Sequence, residues 1–152
     1  MRMTDFIVRD AITPNLSVTT KEGVIREMVG KLKAAGFFKD QNEEIVQAVL
    51  KRERLGSTGI GKGVAIPHAK HTSVDRMVGA IAIAPKGIDF ESVDSEPVHV
   101  LVMLISPEGR PRDHLLALQN VASSLKDERL VDSLKKATTT EEIWKLLSED
   151  RS

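Results

Sequence analysis

Val98-His99-Val100-Leu101-Val102-Met103-Leu104-Ile105 is the stretch on which the fold turns. Every side chain in it except His99 is apolar, and no polar residue alternates with the apolar ones. A strand with this pattern is buried on both faces, so it predicts a central position between two packed layers. Two shorter apolar runs precede it, at 64–66 and 78–84, and both suit strands. Pro67 limits the first, because proline has no N–H to donate into a ladder. Residues 87–97 read as a connection, with a short extended piece around 88–90.

Outward from these runs the pattern becomes helical. Val24, Ile25, Met28 and Leu32 recur at three- and four-residue spacing behind Thr20, a candidate N-cap, and Gly36 is a plausible stop. This predicts a helix over about 21–35. A second is expected over about 40–55, where Asp40 and Glu43 resemble a capping box and Ile45, Val46, Val49 and Leu50 form an apolar stripe. Downstream, Leu115, Leu118, Ala122 and Leu125 read as one stripe, and Leu130, Val131 and Leu134 as the next. Thr139 with Glu142 opens a final helix carrying Ile143, Leu146 and Leu147, where Trp144 is expected to pack against the core. Helices at both ends with strands between favour a single α/β sandwich around one sheet.

Composition excludes several functions. The 152 residues carry 22 basic and 22 acidic side chains, so no global field favours nucleic acid or an anionic membrane. There is no cysteine, which rules out disulfides, thiolate nucleophiles and cysteine-based metal sites. One tryptophan and four phenylalanines are too few for a base-stacking platform. The longest unbroken apolar run, 100–105, is far below the ~20 residues a bilayer span needs. Asp5 stands where a signal peptide would begin its apolar stretch. The expectation is a cytoplasmic protein with no direct membrane insertion.

The chemically informative stretch runs from Arg52 to His71, R-E-R-L-G-S-T-G-I-G-K-G-V-A-I-P-H-A-K-H. Glycines allow main-chain N–H groups to approach an anion, and Ser57 and Thr58 add hydroxyls. Arg52 offers a permanently charged planar fork, and His68 follows the stiff Pro67. A neutral imidazole held this way is a competent nucleophile. Gly56-x4-Gly61-Lys62-Gly63 nearly matches a phosphate-binding P-loop. Gly63 replaces the hydroxyl that would hold Mg²⁺, however, and a helix precedes the loop where a strand should. His68 and His71 lack a neighbouring carboxylate or thiolate to complete a metal set, so no metal is expected. On the residues alone, two readings stand: a histidine that handles phosphoryl groups, and a plain connection with a solvated histidine.

The run Gly56-Ser57-Thr58-Gly59-Ile60-Gly61, continued by Gly63-Val64-Ala65-Ile66-Pro67-His68, closely resembles the active-site signature of type 2 enzyme IIA domains. These are the fructose/mannitol class of the phosphoenolpyruvate-dependent phosphotransferase system, with its nitrogen-regulatory branch. The likeness extends from an Ile-Thr-Pro segment at Ile12 to the final helices, so residues 1–152 are expected to form one IIA domain. It implies an α/β fold with one mixed sheet of about five strands between helical layers.

The resemblance also implies roles. His68 would accept phosphate from an HPr-type phosphocarrier, and Arg52 would stabilise phosphoryl charge. His114 would assist beside the phosphorylated ring. Ser57 and Thr58 would orient His68 or bind phosphate, with the main chain of Gly59, Gly61 and Gly63 contributing. Lys62 departs from relatives, which often carry Asn, Asp or Glu there. No cofactor is implied. Downstream partners would be a IIB component or a regulated protein. The single-domain length favours the nitrogen-regulatory branch slightly over a fructose-transport IIA component. The reading from another class is a protein-binding module that is never phosphorylated. Read residue by residue, Arg54 is expected to be solvated, His71 to lie exposed in a polar turn, and His99 to be a strand-end residue satisfied by a hydrogen bond.

Overall fold

The computed structural model describes residues 2–149. After a short 3₁₀ turn the elements are β1 (Ile7–Thr13), α1 (Lys21–Ala34), α2 (Asn42–Arg54), β2 (Gly59–Gly61), β3 (Val64–Ala65), β4 (His68–Lys70), β5 (Val78–Ile88), β6 (Val98–Ser106), α3 (Pro111–Ser124), α4 (Glu128–Lys136) and α5 (Thr140–Ser148). The strands form one mixed six-stranded sheet in the order β1-β5-β6-β3-β2, with β4 also pairing with β6. β6 is central, as its sequence requires. It runs antiparallel to β5 and parallel to both β3 and β4.

Alternation along β6 builds two cores. Leu101, Met103 and Ile105 face the layer of α1 and α2, packing with Ile25, Met28, Leu32, Ile45 and Val49. Val100, Val102 and Leu104 face α3, α4 and α5, packing with Val121, Leu130, Leu134 and Ile143. Both sets are fully buried, which is why the strand carries apolar residues at every step. No helix among the described residues is long and apolar enough to cross a membrane.

The caps behave as their chemistry dictates in two helices and not in a third. Thr20 Oγ1 accepts from the Gly23 amide at 3.0 Å, and Thr139 Oγ1 accepts from the Glu142 amide at 3.1 Å. α2 begins later than its sequence suggests, with Gln41 at the N-cap position and no side-chain cap. Phe38 and Lys39 both take positive φ, and the chain enters α2 through that turn rather than through an Asp40 capping box.

Three other expectations are corrected. β1 has no counterpart in the sequence reading, because Arg9 and Asp10 interrupt its apolar pattern and its pairing with β5 is irregular between Ile7 and Ile12. The glycine-rich run is more than a plain connection, since β2 and β3 form an antiparallel hairpin turning at Lys62-Gly63. Gly61 and Gly63 have φ of +98° and +81°, conformations that glycine adopts without strain. Finally, α3 buries His114, Ala117 and Val121, whereas Leu115 is 55% exposed. The buried stripe is displaced by one residue from the one drawn through Leu115.

Candidate active site

His68 owes its position to an interrupted strand. β3 and β4 pair with the same strand β6, Val64 opposite Val100 and His68 opposite Leu104. Between them lie Ile66 and Pro67, where proline supplies no N–H but its carbonyl still accepts from Leu104 N at 3.0 Å. His68 is thus the first residue after the interruption, fixed by ladder bonds on a strand and not carried on a free loop. Its Nδ1 lies 2.8 Å from the Ile66 carbonyl oxygen.

Three elements meet around it. The end of α2 contributes Ala48, Lys51 and Arg52, with Leu55 just beyond it; β4 contributes His68, Ala69 and Lys70; α3 contributes His114 and Leu118. Together they line an open pocket of about 430 Å³. The rings of His68 and His114 are 5.3 Å apart, centroid to centroid, and inclined by 56°. The Arg52 guanidinium donates through Nη1 to the Gly56 carbonyl at 2.8 Å, which ties the side chain across the end of its own helix. Its remaining N–H groups are available to an anion.

Both imidazoles are held neutral. Burial is the first cause of the lowered His68 pKa; the cations of Arg52 and Lys70 deepen it, against the Ile66 hydrogen bond and Glu53. His114 is only 7% exposed, and burial, then His68 and Lys70, push its pKa down to about 4. His114 Nδ1 lies 2.5 Å from the hydroxyl of Ser106, at the end of β6.

The structure does not bring every expected residue to this pocket. Ser57 Oγ donates to the Phe90 carbonyl at 2.6 Å and accepts from Gly59 N at 3.0 Å. Thr58 donates its hydroxyl to Glu53 and its amide to Glu53 Oε1 at 3.1 Å. Neither hydroxyl is free to orient His68. Gly59, Gly61 and Gly63 are absent from the pocket lining, because the hairpin sets them against Ser92, Asp94, and the pair Lys135 and His99. These five residues, expected to bind phosphate, lie beside the pocket and not in its lining.

Glu53 is the residue sequence reasoning passed over. It is 7% exposed and pairs with Lys21 Nζ at 2.9 Å while accepting both Thr58 bonds. Its position, four residues beyond Val49 on the apolar stripe of α2, is the signal that could have found it. Ser106 was missed for the opposite reason: it shares a strand face with Val102 and Leu104, so it reads as the polar end of an apolar run.

The remaining histidines divide. His99 Nδ1 lies 2.9 Å from the Ala84 carbonyl, as a strand-end residue should. His71 is not exposed: its side chain is 14% accessible, with Nδ1 2.8 Å from Ser73 Oγ. Arg54 is exposed, and Trp144 packs against the second core, where the Arg9 guanidinium lies 5.6 Å from the ring centroid.

A half-buried neutral histidine beside a buried one in a cation-bearing pocket, on an α/β sheet covered by helices on both faces, fits a small group-transfer domain. The family model described as "Phosphoenolpyruvate-dependent sugar phosphotransferase system, EIIA 2" matches residues 5–150. The chain belongs to this family, and with it to the EIIA-type phosphoryl carriers. It is 37% identical to a nitrogen regulatory protein of Bradyrhizobium diazoefficiens, covering 97% of this chain and 95% of that protein. It is 36% identical to the fructose-specific EIIABC component of Bacillus subtilis, covering 98% of this chain but 23% of that protein. Among solved structures, it resembles the nitrogen regulatory protein IIA-Ntr from Neisseria meningitidis with a TM-score of 0.85 at 27% identity, covering 95% of this chain and 97% of that one.

Proposed function

We propose that this chain takes a phosphoryl group from an HPr-type phosphocarrier onto Nε2 of His68, then passes it to a IIB component or signals through it to a regulated protein. The supporting observation is the bond between His68 Nδ1 and the Ile66 carbonyl. A carbonyl oxygen only accepts, so Nδ1 holds the ring hydrogen and the Nε2 lone pair is left for attack. That lone pair forms a new N–P bond as the donor's N–P bond breaks, and the released electron pair returns to the donor's imidazole. No proton needs to move. The positive charge gathering on the His68 ring is stabilised through its Nδ1–H by Ile66, while Arg52 and Lys70 stabilise the phosphoryl oxygens.

Burial, and after it the same two cations that stabilise the phosphoryl group, keep the His68 ring neutral beforehand. Leu55, in the pocket lining, is 81% exposed, and Leu115 and Leu116, next to His114 on α3, are 55% and 46% exposed, apolar surface suited to brief docking of a carrier protein. We infer the nitrogen-regulatory role ahead of the transport role, on the likeness to the Bradyrhizobium protein and the Neisseria fold. The fructose-type reading stands second, supported by the nearly equal identity to the Bacillus component.

Incubation with phosphoenolpyruvate, enzyme I and HPr, followed by intact-mass measurement, tests this reading. One acid-labile phosphoryl group is expected, absent from His68→Ala and formed more slowly in His114→Ala. An unchanged wild-type mass with several HPr proteins would overturn it in favour of a binding module that is never phosphorylated.

A further inference from the structure

We infer that Ser106 is a positioning residue for His114, fixing its tautomer so that His114 presents an N–H donor beside the bare nitrogen of His68. The inference rests on the reading of His68 as phosphoryl acceptor. Ser106 is completely buried at the end of β6, and its Oγ lies 2.5 Å from His114 Nδ1. That nitrogen is the one hydrogen-bond partner of the hydroxyl among the described residues.

The direction of this bond follows from satisfaction of buried groups. Were His114 Nδ1 to donate, the hydrogen of the fully buried serine would have no acceptor among the described residues. A buried donor left unpaired is rarer than an unfilled lone pair on an oxygen. Ser106 therefore donates to Nδ1, and the neutral His114 ring carries its one hydrogen on Nε2. The low pKa of His114, about 4, agrees, since a protonated ring would have to donate from both nitrogens.

The two rings are then complementary. His68 is protonated on Nδ1 by its bond to Ile66 and bare on Nε2, while His114 is bare on Nδ1 and protonated on Nε2. Both line the same pocket. Locked this way, His114 has no free lone pair with which to compete for the phosphoryl group. It offers a hydrogen-bond donor to a phosphoryl oxygen without first having to become a cation.

Register places Ser106 to do this without touching substrate. β4 pairs Lys70 with Ser106, the Ser106 carbonyl accepts from His71 N at 2.9 Å, and the following chain turns into α3, which returns His114 over the hydroxyl. The serine backbone is thus fixed by the sheet that fixes His68.

Long-range ¹⁵N–¹H NMR of the unphosphorylated protein reads the tautomers directly, and Ser106→Ala and Ser106→Cys supply the comparison. The wild type should show His114 as the Nε2–H form. Ser106→Ala should populate the Nδ1–H form and slow phosphoryl transfer about fivefold at unchanged KM for phospho-HPr, the size expected for one neutral hydrogen bond. Ser106→Cys, which keeps a weak donor, should lie between. A wild-type His114 protonated on Nδ1, or a Ser106→Ala protein with unaltered tautomer and rate, would overturn the assignment. The tautomer is read before any transfer, so the two readings fail separately. The expected tautomer in a protein that takes no phosphoryl group overturns the role of His68 instead.

Discussion

The hairpin Gly59–Ala65 and the strand His68–Lys70 are neighbours in sequence and pair with or through the same central strand, yet they do different work. The hairpin and the Ser57-Thr58 pair just before it carry the most recognisable motif in the chain, and those hydroxyls and glycines bond within the scaffold. Ser57 holds Phe90, Thr58 holds Glu53, and Gly61 and Gly63 supply backbone angles. The strand carries little motif beyond Ile-Pro-His and holds His68, the phosphoryl acceptor we propose. The contrast teaches that a signature identifies a family through whatever the fold needs, and only part of it touches the reaction.

The sharpest way to test the contrast is to remove one residue from each side. His68→Ala should abolish stable phosphorylation in the intact-mass assay while leaving the thermal midpoint close to wild type, because the ring is only partly buried. Thr58→Val should do the reverse, leaving His68 able to accept but losing stability in urea. It strips the buried Glu53 carboxylate of a hydroxyl donor, a loss of about 1–3 kcal/mol. Loss of phosphorylation in a folded Thr58→Val protein would break the division between scaffold and chemistry.

Acid unfolding offers a second comparison, between the pocket histidines and the rest of the chain. Folding lowers the His114 pKa from 6.5 to about 4, so the unfolded chain binds a proton that the folded chain refuses. Stability from this group is complete above the unfolded value and is lost as pH falls from about 6.5 towards 4, by up to about 3 kcal/mol. His68 adds in the same direction. Urea titrations across this range should therefore show a slope that flattens in His114→Gln.

Smaller effects belong to the hairpin turn. Gly61→Ala places a side chain at φ of +98° and should cost about 1–2 kcal/mol in a urea titration, with transfer kinetics retained. Lys62→Asn should be the mildest change. Lys62 is exposed, and its contact with Glu128 at 3.7 Å is a surface pair, so stability should move by no more than about 0.5 kcal/mol.

Much of this fold was legible because period and burial agree. The unbroken apolar run of β6, the Thr20 and Thr139 caps, and the stripe of α4 follow from spacing and side-chain chemistry. β1 was not legible, since Arg9 and Asp10 face outward in the middle of a strand that buries only its two ends. The displaced stripe of α3 has a related cause. Leu115 and Leu116 are exposed apolar residues and His114 is a buried polar one, so the helix departs from its own amphipathic pattern where it meets the pocket. At the site, resemblance supplied His68, Arg52 and His114, which the fold brings to one pocket. Ser106 and Glu53 act through buried hydrogen bonds to His114 and Thr58, formed where the chain turns between elements, and no periodicity rule encodes those.

The central claim is that His68 carries the phosphoryl group on Nε2 because Ile66 occupies Nδ1. ³¹P and ¹⁵N NMR of the freshly phosphorylated protein tests it most directly. Phosphorus coupled to Nε2 of His68, with Nδ1 still bearing its hydrogen, is the result this account predicts. Phosphorus on Nδ1 of His68, or on His114, would contradict it.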